Sequence, residues 1–172
     1  FLEERSNDAS GSVVCACLEG NRPILVEVQA LVAKTPYGMP RRTAVGFDYN
    51  RVTMLLAILE RRLGMDFGAY DAYVNVVGGM RVTEPAADLA VAAALVSSYR
   101  NRPIPHGVLV MGEVGLTGEV RRIASPERRI KDAMNLGFKR FVLPMGKLSL
   151  DEPCNGIVQV KTLEEALDKV FA

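Results

Sequence analysis

The stretch AADLAVAAALVSSY at 86–99 constrains the fold more than any other part of the chain. Leu89, Val91, Ala92, Leu95 and Val96 recur at helical spacing among alanines, leaving almost no polar face. A helix that is apolar all round must be enclosed by other elements. A chain of 172 residues, 49% hydrophobic and 24% charged, carries enough apolar material to enclose it within a single domain. No uninterrupted apolar run approaches the roughly 20 residues of a bilayer-spanning helix, so this is a core helix and no membrane partner is expected.

The remaining pattern supplies the enclosure. Segments 12–18 and 24–32, rich in Val, Ile and Leu, flank the turn residues Glu19-Gly20-Asn21-Arg22 and predict a β-hairpin with a long second strand. A loop with two prolines and a glycine (34–42) follows, then a short strand at 43–47. A helix capped by Asp48 or Asn50 carries Val52, Leu55, Leu56, Leu59 and Leu63 and stops at Gly64. Further strands are expected at 73–77, 107–111, 119–123, 141–143 and 157–160, with helices at 127–136 and 162–171, the last opening on a Thr162/Glu165 capping box. Strands first, then helices alternating with short strands, predict an α+β fold with a mixed β-sheet and packed helices. The polar segment 1–10 reads as a linker or edge segment and 11–172 as the domain; the start at Phe1 reads as a cut from a longer protein.

A net charge of +1 supplies no general attraction to a polyanion, so any nucleic-acid contact has to come from local clusters. Cys15, Cys17 and Cys154 are an odd set without a secretory signal, which predicts reduced thiols in the cytoplasm. Strand alternation puts Cys15 and Cys17 on one face, and no His or Cys stands at zinc spacing from them, so they are read as core and no metal site is expected. The single histidine, His106, lies beside a turn without a recognisable triad partner. Ser125, followed by Pro126, reads as a helix N-cap. Basic residues come in pairs: Arg41-Arg42, Arg61-Arg62, Arg121-Arg122, Arg128-Arg129 and Lys139-Arg140. Arg41-Arg42 closes a Gly/Pro loop suited to meeting a phosphate backbone, whereas Arg61-Arg62 after Glu60 is most simply a solvated helix face.

The segment Gly112-Glu113-Val114-Gly115-Leu116-Thr117-Gly118-Glu119-Val120 resembles the lead into the catalytic lysine of Lon-type proteases, and Thr83-Glu84-Pro85-Ala86-Ala87-Asp88 resembles the stretch that carries their serine. At the two dyad positions the chain has Ala86 and Glu127. Within that superfamily, Pro36-Tyr37-Gly38-Met39-Pro40-Arg41-Arg42, Gly46-Phe47-Asp48-Tyr49-Asn50-Arg51 and Val76-Val77-Gly78-Gly79-Met80 are most similar to the carboxy-terminal domain of the RadA (Sms) family of bacterial DNA-repair ATPases.

The resemblance implies a Lon proteolytic-domain fold, related to the second domain of a small-subunit ribosomal protein, with the peptidase chemistry lost. A Ser-Lys dyad needs a hydroxyl beside a neutral amine; alanine offers no nucleophile and glutamate inverts the charge. A dyad relocated to Ser125 with Lys131, or to Ser97 or Ser98, is the weaker alternative. The resemblance further implies DNA contact, single-stranded or branched, through Arg41, Arg42, Arg51, Arg121 and Arg122. It also implies self-association, as a hexameric ring, and work in recombination, branch migration and the processing of recombination intermediates beside a RecA-type recombinase. No cofactor is expected in this stretch: ATP, Mg and Zn would belong to the zinc finger and ATPase core that such proteins carry amino-terminally. A ring scaffold without DNA contact is the other reading.

Overall fold

The structure is a computed structural model that describes residues 8–172. Most of the segment 1–10, read above as linker, lies outside the described residues. From Gly11 onward the chain builds a seven-stranded sheet of order β3-β4-β2-β1-β5-β8-β9 and a separate two-stranded β6–β7 ribbon. The strands are β1 (Ser12–Glu19), β2 (Arg22–Lys34), β3 (Arg42–Val45), β4 (Tyr70–Val76), β5 (Val108–Val110), β6 (Glu113–Val114), β7 (Val120–Arg121), β8 (Arg140–Pro144) and β9 (Ile157–Val160). The helices are α1 (Tyr49–Leu63), α2 (Asp88–Arg100), α3 (Pro126–Asn135) and α4 (Leu163–Phe171).

The sheet is mixed. β1 and β2 pair antiparallel with Glu19 opposite Arg22, and β4 runs antiparallel to β2. The remaining partners are parallel: β3 with β4, β1 with β5, β5 with β8, and β8 with β9. Strands returning in parallel need crossovers: α1 lies in the one from β3 to β4, α2 in the path from β1 to β5 and α3 in the one from β5 to β8, while residues 145–156 join β8 to β9 without a helix. Helix α2 is buried without a break from Asp88 to Ser97 and packs on β1, β2, β4 and β5, as its composition requires. Both faces of β1 are covered from Ser12 to Cys17.

Several local expectations are met with named bonds. Asp48 accepts from the Asn50 N–H at 2.9 Å and opens α1, and Gly64 at φ +70° closes it. Thr162 Oγ1 accepts from the Glu165 N–H at 3.1 Å, but the Glu165 carboxylate reaches back to the Lys161 N–H at 3.1 Å, one residue before the partner of a strict capping box. Ser125 stands at the N-cap of α3 in the left-handed region (φ 51°, ψ 52°) without a side-chain cap bond; the work of starting the helix falls to Pro126. The strand expected at 119–123 is only Val120–Arg121 and lies outside the large sheet. It pairs with β6, so the Gly112–Val120 segment is a small ribbon.

Candidate functional site

Two places hold the residues singled out by sequence: the head of α2 and the loop before β3. At the head of α2 a one-turn 3-10 segment (Pro85–Ala87) leads into the helix. Ala86 is buried, and its carbonyl accepts from the Gly112 N–H at 2.8 Å, while the Gly112 carbonyl accepts from the Leu89 N–H at 3.0 Å. A Cβ on Gly112 would stand 2.8 Å from Cγ1 of Val120, so glycine is what lets the chain entering β6 lie this close to β7. No hydroxyl is available at position 86. Glu127 accepts a bond at 3.3 Å from the Ser149 N–H.

Two ion pairs fill the same region. Arg129 is fully buried and donates to both carboxylate oxygens of Glu84, at 2.6 and 3.0 Å, and to the carbonyls of Ala16 and Ala124 at 2.9 and 2.8 Å. Glu84 also accepts from the Leu18 N–H at 2.7 Å, so one carboxylate ties β1, α3 and the approach to α2 together. Asp88, fully buried in the first turn of α2, accepts from the Arg51 guanidinium in a two-pronged pair and from the Val114 N–H at 3.1 Å. Burial pushes the Asp88 carboxyl up in pKa against the pull of Arg51. A carboxylate at a helix N-terminus also meets the positive end of the helix dipole.

These bonds engage two of the five arginines named from sequence. Arg51 is committed to Asp88, and its role in this structure is to neutralise a buried carboxylate. Arg42 is likewise engaged: its guanidinium donates to the carbonyls of Tyr70 and, at 2.9 Å, Phe67, fastening β3 to the turn before β4. Arg129, one of the basic pairs considered, is interior. Neither pairing was legible locally, since Arg129 and Glu84 are 45 residues apart in sequence. Asp88 did carry a signal, because an acid at the head of an otherwise apolar, enclosed helix requires a cation or an N–H.

Arg41, Arg121 and Arg122 are exposed. Arg121 pairs at 3.1 Å with Glu119 on the surface, a contact worth little in stability. Arg51 is linked to the β6–β7 ribbon through Asp88, which also accepts from the Val114 N–H, and Arg121 lies in β7, whereas Arg42 opens β3 and Arg41 directly precedes it.

The loop 35–41 is held at both ends by Asp71, which accepts from Thr35 Oγ1 at 2.9 Å and from the Arg41 N–H at 2.8 Å; the Thr35 N–H donates to Ala69 at 2.9 Å. The Arg41 N–H, followed by the Thr35 hydroxyl, holds the Asp71 carboxyl below its ordinary range. The Thr117 hydroxyl, with further bonds from backbone N–H groups and Arg121, lowers Glu119 to about 2. Both carboxylates therefore have folded pKa values below their unfolded ones. Their contribution to stability is present above the unfolded values near 4 and is lost as pH falls through the folded ones. We expect Tm to fall between about pH 5 and about pH 2, and Glu119→Gln to flatten that limb; an unchanged acid profile in the variant would contradict the assignment.

Cys15 and Cys17 lie side by side in β1, with sulfurs 3.9 Å apart. The hydrogen bond from Cys17, then burial, raise the Cys15 thiol well above its ordinary pKa, as suits a core thiol. Among the described residues no cluster of three or more His, Cys, Asp or Glu side chains could hold a metal ion, and no helix is long and apolar enough to cross a membrane.

With this geometry in view, comparison with known proteins is specific. A family model described as subunit ChlI of Mg-chelatase matches residues 28–147, well over half of the chain. The chain belongs to that family. Relatives similar to this ChlI-family domain over nearly its whole length include proteins named DNA repair protein RadA. They include proteins from Halalkalibacterium halodurans (48% identical over 98% of the chain), Pseudomonas aeruginosa (49% over 99%) and Bacillus subtilis (48% over 97%). The chain spans 37% or 38% of the length of these three. The domain is thus of the RadA type, homologous to part of a DNA repair protein, and its α+β fold agrees with the Lon-like fold that the resemblance implied.

Proposed function

We propose that the chain is a DNA-binding and ring-forming domain of a DNA-repair ATPase, without peptidase chemistry of its own. The observation that carries this reading is the loop 35–41, in which a buried carboxylate fixes both ends and leaves Arg41 exposed, in a chain whose homologues are DNA repair proteins. Arg121 and Arg122 on the ribbon would add a second, weaker set of phosphate contacts. Phosphate contacts position a protein without reading sequence. Branch migration, the processing of recombination intermediates, a RecA-type partner and the use of ATP, Mg and Zn belong, in this proposal, to the assembled parent protein.

The absence of peptidase chemistry is supported by Ala86, which has no hydroxyl, and by the two ion pairs packed around the head of α2. We expect no cleavage of unfolded casein by the chain, since Ala86 has no nucleophile and Glu127 no amine; an Ala86→Ser, Glu127→Lys double variant would still need an oxyanion site to regain activity. Cleavage that co-elutes with the unmodified protein through repurification would overturn this part of the reading.

The scaffold reading has one observation in its favour. Register puts Leu31, Tyr73 and Thr43 in one row and Gln29, Asn75 and Val45 in the next, on a common face of β2, β4 and β3, and Leu31 and Val45 are 59% and 54% exposed. Such a face suits a second copy, and a ring needs two different patches per subunit. It is compatible with DNA contact by the loop at the end of the same strands.

A further inference from the structure

The tip of the loop 35–41 is the most exposed apolar feature of the described residues. Tyr37 is 90% and Met39 87% exposed, and Gly38 between them adopts φ +84°. An ordinary surface loop would carry small or polar residues at its tip. The ends of this one are fixed: Asp71 holds Thr35 and Arg41, and Arg42 is anchored to Phe67 and Tyr70. The aromatic ring is therefore presented on a closed, braced turn, so little ordering has to be done when something binds it. The charges around the tip have one sign. From Lys34 to Phe47 the chain carries Lys34, Arg41 and Arg42 and no acidic residue, while the acid that does approach, Asp71, is occupied by the two loop bonds.

An exposed ring on a loop whose own charged residues are all cationic complements a partner that is both π-faced and polyanionic. Duplex DNA buries its base faces in the stack and offers them to no side chain, whereas a single strand exposes them together with its phosphates. We propose that Tyr37 is a stacking platform for an unpaired base of a single-stranded nucleic acid, with Met39 packing beside the base and Arg41 on the adjoining phosphate. This inference rests on the DNA-binding reading above and names its substrate class at that loop as single-stranded.

The test measures binding of the chain to labelled oligo-dT and to an abasic strand of the same length, for the unmodified protein, Tyr37→Ala, Tyr37→Phe and Arg41→Ala. Loss of one stacked base should weaken oligo-dT binding by about 5- to 150-fold in Tyr37→Ala, leave the abasic strand unchanged, and leave the salt dependence unchanged. Tyr37→Phe should bind as the parent does. Arg41→Ala should weaken both strands and lower the salt slope. An equal loss on both strands in Tyr37→Ala would overturn stacking, as would no loss on oligo-dT. If Arg41→Ala still lowers the slope in that case, DNA binding stands and only the stacking role fails. No binding of either strand by the unmodified chain would overturn both. A Tyr37→Ala variant that keeps its DNA affinity but loses self-association would assign the tip to a neighbouring subunit and also overturn the proposal.

Discussion

Replacing Arg129 with alanine is expected to destabilise the domain by about 3–5 kcal/mol, the usual consequence of removing one partner of a buried ion pair. Arg129 is among the largest fully buried side chains, and it serves four acceptors: two oxygens of Glu84 and the carbonyls of Ala16 and Ala124. Its loss takes a partner from all of these, strands the buried Ala16 carbonyl and empties a large volume between α3 and β1. Glu84 is 23% exposed and can recover some water, which places the effect nearer the lower end of the range. Urea denaturation should show a lower midpoint at unchanged slope. The double variant Arg129→Met, Glu84→Gln should recover much of the loss, because methionine restores the volume and glutamine keeps an acceptor for the Leu18 N–H. A loss below about 1 kcal/mol in Arg129→Ala would mean that the pair does not hold the head of α2 as described.

The same region shows why the fold was more legible in sequence than the site. The buried helix, the first hairpin, the Gly64 stop and the Thr162 cap depend on neighbours within a few residues, and periodicity records such neighbours. Arginine pairs are recorded equally well, but their roles are set by distant partners. Arg41 and Arg42 are adjacent, yet their surroundings differ: Arg41 ends the loop and is exposed, while Arg42 opens β3 and is bonded to the carbonyls of Phe67 and Tyr70. Arg128 and Arg129 divide in the same way on α3. Arg129 is enclosed, while Arg128 stays at the surface and donates to the Asn21 carbonyl at 2.7 Å. The β6–β7 ribbon was also hidden, because two-residue strands are too short for any alternation to register.

The division among the arginines changes how DNA binding has to be tested. Removing Arg42 or Arg51 would disturb β3 or expose Asp88, and a loss of affinity would then report on folding. Arg41, Arg121 and Arg122 are exposed and can be replaced without orphaning a buried group, since the Arg121 contact with Glu119 is a surface one. If all three meet phosphates, the variant Arg41→Ala, Arg121→Ala, Arg122→Ala should lose up to three contacts. On duplex DNA the magnitude of the log-log salt slope should then fall by up to about 2.7, with affinity at low salt falling in step and sequence preference unchanged. The most direct measurement is affinity against salt concentration for the unmodified protein and this triple variant, with thermal denaturation of both to verify equal folding. The account predicts a shallower slope and weaker binding in the variant at unchanged Tm. An identical slope and affinity in two equally folded proteins would contradict it and leave the domain a scaffold.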